Sequence, residues 1–148
     1  MKHFFDAIDR RIAGYMYKIG LPALRISLGV IFIWFGVLKT IGLSPAEGLV
    51  LATVNWMPVF SAGIWLVIIG WWEVIIGVCF LFKATLRIAI GLLAMQMAGT
   101  FLPLIILTEV TFQTGHFPYA PTMEGQYIIK NLLIISAAIV VGGSVRKN

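Results

Sequence analysis

Residues 62–82 read AGIWLVIIGWWEVIIGVCFLF, an apolar stretch of 21 residues interrupted by one charge, Glu73. About 20 mostly apolar residues cross the hydrocarbon core of a bilayer as a helix rising about 1.5 Å per residue, so the stretch predicts a transmembrane span. Glu73 lies near its middle, where an ionisable side chain costs about 2.5–3.5 kcal/mol on insertion scales. Gly70 and Gly77 share its helical face, and small residues let a second helix approach closely. Glu73 therefore points at another helix and needs a partner there.

Three further stretches have the same character: 21–41, 86–107 and 126–143. The last is the shortest and carries Lys130 and Asn131. The chain is 60% hydrophobic and only 11% charged over 148 residues, with a mean hydropathy of +0.98. That leaves too few charges to coat a soluble domain and too many apolar residues for a disordered one. The expected fold class is an all-α integral membrane protein, a four-transmembrane-helix bundle. Its domains would be an interfacial segment 1–20, a membrane domain 21–143 and a tail 144–148.

The charges are sorted by position. Lys2, Arg10, Arg11 and Lys18 precede the first span, Lys83 and Arg87 flank the turn between the second and third, and Arg146 and Lys147 follow the fourth. The loops 42–61 and 108–125 contain no lysine or arginine and carry Glu47, Glu109 and Glu124 instead. By the positive-inside rule both termini are expected in the cytoplasm, in a bacterial or archaeal plasma membrane. The net charge of +5 thus answers to a lipid bilayer as partner and not to nucleic acid.

Ahead of the first span, Phe4, Ile8, Ile12, Tyr15 and Ile19 recur at three- or four-residue steps opposite Asp6, Asp9 and Arg10. That pattern predicts an N-terminal amphipathic helix lying in the interface or packing on the bundle's end. Between the first two spans, Ser44-Pro45-Ala46-Glu47 has the form of a capping box. It predicts a short outer-face helix over the following apolar residues, up to Asn55-Trp56-Met57-Pro58. The other outer loop holds His116-Phe117-Pro118-Tyr119 among turn formers and is expected to cover the bundle's mouth. Leu24-Arg25-Ile26-Ser27-Leu28-Gly29 is echoed 62 residues later by Leu86-Arg87-Ile88-Ala89-Ile90-Gly91, with Gly63 and Gly125 at the same offset, as in a parallel internal repeat.

Few residue types inside the spans carry chemistry. Arg25 and Lys39 stand 14 residues apart on one stripe of the first span, with Phe32 between them and Gly29 and Gly36 beside it. Either can snorkel to a headgroup region. For Glu73 the expected countercharge is Lys130, with Gln96 and Thr100 as hydrogen-bonding neighbours. Lys39, Lys130, Asn131 and His116 would then ring a pocket opening outward above Glu73, positively balanced and suited to an anionic or quinone-like ligand. The bland alternative is a packing pair that only fixes helix register.

Other chemistries find no support. Cys79 is the single cysteine, so the chain can form no internal disulfide. Met95 and Met97 do not share a helical face, and His3 and His116 fall on opposite sides of the expected membrane, so no metal site is expected. No phosphate loop, dinucleotide fingerprint or nucleophile triad is present, and no catalytic residue can be assigned.

The run from Arg25-Ile26-Ser27-Leu28-Gly29 to Trp34-Phe35-Gly36-Val37-Leu38-Lys39 resembles the first span of the DoxX-like family of small four-helix bacterial inner-membrane proteins. Glu73-Val74-Ile75-Ile76-Gly77 is similar to that family's second-span glutamate motif. His116-Phe117-Pro118-Tyr119 and Gly125-Gln126-Tyr127-Ile128-Ile129-Lys130-Asn131 resemble the branch containing the reactive-chlorine-resistance inner-membrane protein. That branch often has aspartate where this chain has Asn131. The resemblance implies an association with redox or oxidant-stress systems, a place in a larger membrane oxidoreductase complex or a homo-oligomer, and a quinone as the nearest cofactor. It hands over no single chemistry. Three readings stay open: a quinone-facing redox subunit, a small transporter or channel, and a structural or assembly subunit.

Overall fold

In the computed structural model the backbone is described for residues 2–145, and the side chains of 2–4 and 7 lie outside the description. The expected roles of Lys2, His3 and Phe4, and of Arg146 and Lys147 in the tail, therefore fall outside the described residues. The described chain is helical, with one isolated bridge between Phe112 and Pro121. Four helical segments are long and apolar enough to cross a membrane, at 8–40, 62–81, 83–106 and 123–144.

The first helix, α1 (Lys2–Thr40), corrects the expected boundary at residue 20. It runs unbroken for 39 residues, with Pro22 inside it, so no separate N-terminal helix precedes the span. Proline removes one backbone donor and usually bends a helix. Here the residues from 8 to 20 are exposed throughout, so the freed carbonyl of Lys18 need not be satisfied by protein, and strong helical periodicity continues on both sides. The packed part of α1 begins at Leu24, which lies against the core.

After α1 the chain turns through Gly42, whose φ of +69° suits a residue without Cβ. The short helix α2 (Glu47–Val54) follows, but Ser44 is not its N-cap. Its hydroxyl accepts from the Ala46 N–H at 3.3 Å, and its carbonyl accepts from the Glu47 N–H at 3.1 Å. Pro45 at the second position of that turn cannot donate, so the helix starts only at Glu47 and the reciprocal glutamate cap is absent.

The second span is α3 (Ala62–Leu81). A 3₁₀ turn at Lys83–Thr85 leads into α4 (Leu86–Phe101). The expected third span, 86–107, corresponds to the helical segment 83–106, which is interrupted at Leu102. Pro103 lacks the N–H that α4 would need to continue, and the chain restarts as the short helices α5 (Pro103–Ile106) and α6 (Thr108–Thr111). The last span is α7 (Met123–Ser144). Its N-cap Thr122 accepts from the Gly125 N–H at 3.2 Å and donates to the Val110 carbonyl at 2.7 Å. Gly125 lies so close to the Thr111 carbonyl that a Cβ would overlap it. The 108–122 segment is thus clamped onto the start of α7.

The four spans form a ring in the order α1, α3, α4, α7, closed by contact between α7 and α1, and the α1–α3 pairing is the most extensive. The apolar core gathers toward the end with the α3–α4 turn: Leu28, Phe32, Ile76, Phe80, Leu86, Ala89, Leu93, Met97, Ala138 and Val141. Ile76, Phe80 and Val141 are fully buried there. Many other large apolar side chains face outward, among them Trp34, Trp71, Ile88 and Leu133, as lipid-facing helices require. The 62-residue repeat has no counterpart in packing. Gly29 is pressed against α3 while Gly91 has open space, and Gly125 is pressed against Thr111 while Gly63 has open space.

Candidate functional site

The stripe predicted on α1 is the stripe that packs. Leu28, Gly29, Phe32, Gly36 and Lys39 are all buried, with Arg25 half-buried below them. Its two glycines meet the two glycines of α3. A Cβ on Gly77 would lie 2.6 Å from the Gly29 carbonyl oxygen, and one on Gly36 would lie 2.6 Å from that of Gly70. Two antiparallel helices therefore touch backbone to backbone at two levels, one heptad apart.

This crossing sets the site. The Lys39 Cβ lies against Gly70, and Glu73 is three residues further along α3. Side chains lean toward the N-terminus of their own helix. In an antiparallel pair those directions oppose, so Lys39 leans toward Glu73 and Glu73 leans back toward Lys39. The Lys39 Nζ donates to the Glu73 Oε2 at 2.6 Å, and the Gln96 Nε2 of α4 donates to the Oε1 at 3.0 Å. Lys39 is 8% exposed and Glu73 9%. Among the described residues this is the only ion pair. A short, buried, charge-assisted bond with a second donor on the other oxygen gives Glu73 the compensation that an isolated carboxylate would lack.

The remaining expected site residues are placed elsewhere. Lys130 is not the countercharge: it is exposed, with its Nζ over the Tyr127 ring at 5.4 Å. It sits early on α7, whose main contacts are with α1, α4 and α6. Asn131 donates to the Tyr127 and Ile128 carbonyls of its own helix. His116 is exposed in the loop, with its Nδ1 2.8 Å from the Thr114 carbonyl oxygen. Thr100 donates back to the Gln96 carbonyl at 3.0 Å and so supports Gln96 without touching Glu73.

Of the residues expected to ring a pocket above Glu73, Lys39 is bonded to the carboxylate itself, while Lys130 and His116 are exposed. A groove of about 620 Å³ lies elsewhere, between α2 and the start of α3, lined by Glu47, Leu51, Ala52, Asn55, Ala62 and Gly63. One supporting contact and one orphaned donor were not expected. The Trp72 Nε1 donates to the Leu92 carbonyl at 3.3 Å and ties α3 to α4 beside the site. The buried Trp65 Nε1 has no acceptor. Once α1 and α3 are placed as antiparallel neighbours, the heptad spacing of both glycine pairs brings Lys39 within one turn of Glu73. No group of three or more metal-ligating side chains occurs among the described residues.

No protein-family model, curated protein or solved structure matches the chain.

Proposed function

We propose that the chain is the membrane subunit of a redox or oxidant-defence system, in a bacterial or archaeal plasma membrane with both termini cytoplasmic, and that Lys39, Glu73 and Gln96 form its quinone-facing site. The observation that carries this reading is the buried triad. A lysine ammonium has three donors, and Lys39 spends one of them on Glu73 while staying almost wholly out of solvent. Two donors are left to polarise a carbonyl that approaches from the lipid phase, and the paired carboxylate is a proton acceptor within the same hydrogen-bonded group. A quinone offers carbonyl oxygens and takes up protons on reduction, which fits both features. The DoxX-like motifs support the same reading. In it, the part of α1 before Leu24 continues the first span toward the cytoplasmic side, and α2 and the 108–122 segment cap the far side.

A transporter or channel reading is less well supported, because α1 and α3 touch at both glycine levels and leave no path along that seam. The structural-subunit reading draws on those same contacts. A titration with decylubiquinone in nanodiscs separates the readings, with quenching of Trp71 and Trp72 fluorescence as the signal. Saturable quenching that is lost in Lys39→Met and Glu73→Gln is expected. Quenching that only tracks partition into lipid, and is the same in all three proteins, would remove the quinone assignment.

A further inference from the structure

Arg25 lies on the packed stripe of α1, at the opposite end from Lys39. Its Nε is fully buried and meets no hydrogen-bond acceptor, which is costly for a charged group. Gly29 packs against Leu81, so one turn back along α1 brings Arg25 level with the Lys83–Thr85 turn. The α3 carbonyls near that level, those of Cys79 and Phe82, accept from the Thr85 hydroxyl at 2.8 and 3.2 Å. No aspartate or glutamate occurs between Asp9 and Glu47 or between Glu73 and Glu109, and Glu73 is held by Lys39 and Gln96. Among the described residues Arg25 thus has no carboxylate partner.

The charged side chains described around the α3–α4 turn are all basic. Lys83 and Arg87 are exposed on either side of the turn, and Lys18 is exposed two turns before Arg25. The N-terminus of α4, with its partial positive charge, has no side-chain cap. Level with the Lys83–Thr85 turn, Arg25 lies near the same membrane boundary as that turn. Its side chain leans toward the α1 N-terminus, hence toward that boundary.

We propose that this end of the bundle is a binding site for the phosphate of an anionic phospholipid, gripped by Arg25 and flanked by Lys83 and Arg87. The guanidinium fork matches two phosphate oxygens, and clustered basic residues at a membrane boundary recognise anionic headgroups. The buried Nε is out of a phosphate's reach, so the contact falls to the rest of the half-buried guanidinium. A lipid phosphate is held at that boundary by its own chains, which lie against the apolar faces of α1 and α4. The site is independent of the quinone reading, being at the other end of the seam.

Native mass spectrometry of the full chain in detergent, titrated with phosphatidylglycerol or phosphatidylcholine of equal chain length, tests this. Phosphatidylglycerol is expected to be retained about ten-fold more tightly, in line with a charge-assisted bidentate contact. Arg25→Gln abolishes the preference, and Arg25→Lys, which keeps the charge but loses the fork, recovers only part of it. Lys83→Gln and Arg87→Gln, at exposed positions that do not threaten folding, each weaken retention about five-fold. Equal retention of the two lipids, full recovery in Arg25→Lys, or displacement of the lipid by millimolar inorganic phosphate overturns the proposal.

Discussion

The two glycine crossings of α1 and α3 share one backbone contact but stand in different surroundings. At Gly29–Gly77 the neighbours are Ile33 and Leu81, and the fully buried Ile76 and Phe80 lie beside it. At Gly36–Gly70 the neighbours include Lys39 and Thr40, and the ion pair with Glu73 lies one turn away. The first crossing uses close approach to exclude everything but packed hydrocarbon. The second uses it to shorten the reach between two charges until they bond at 2.6 Å. One packing device therefore serves a dry core at one level and a polar centre at the other, and only the second has chemistry to offer.

Five variants probe that contrast. The largest effect is expected for Lys39→Met, which leaves the Glu73 carboxylate buried without its countercharge and destabilises the bundle by about 3–5 kcal/mol. Denaturant titration in micelles followed by far-UV circular dichroism measures it, and a loss below about 1 kcal/mol would show that the carboxylate is not dry. Gly77→Ala and Gly36→Ala come next, at about 1–3 kcal/mol each, because the new Cβ meets a backbone carbonyl that cannot move aside cheaply. If the crossings differ as described, only Gly36→Ala also perturbs the ion pair, visible as a changed carboxylate band of Glu73 in isotope-edited infrared spectra. Equal spectral effects from both glycines would dissolve the distinction.

Gln96→Leu follows, with a loss of about 1–2 kcal/mol from one unsatisfied carboxylate oxygen in the same denaturant assay. No measurable loss would mean that water replaces the amide. The smallest effect is expected for the double variant Lys39→Met with Glu73→Met. Apolar replacement of a whole buried pair is often neutral or stabilising, so stability within about 1 kcal/mol of the parent is anticipated while quinone quenching disappears. If the double variant is as unstable as Lys39→Met alone, the pair is needed for folding and the structural reading gains.

Much of the fold was legible because hydrophobic run length is a local quantity. The segments 62–82 and 126–143 correspond to α3 and α7 within a few residues, and the stripe Arg25–Phe32–Lys39 packs as its spacing requires. The failures have local causes too. The boundary expected at residue 20 is absent, because an exposed stretch tolerates the missing backbone donor of Pro22. Pro103 was passed over inside an apolar run, although it ends α4. Ser44 was read as a helix cap, but Pro45 turns the chain before the helix can begin.

At the site, Glu73, Gln96 and Lys39 were all named from their position in apolar spans. Their grouping was not, because Lys130 and Lys39 are equivalent when spans are treated as unplaced rods. The sequence by itself determined how many helices can cross a membrane, which face of each is narrow enough to pack, and which ionisable groups are buried at a cost. Only the tertiary structure decided that Lys39 and not Lys130 answers Glu73, and that Arg25 is left without a carboxylate partner. The physical reason is that burial of a charge follows from composition along one helix, whereas the identity of its partner depends on which helix lies beside it, in which direction, and at what register.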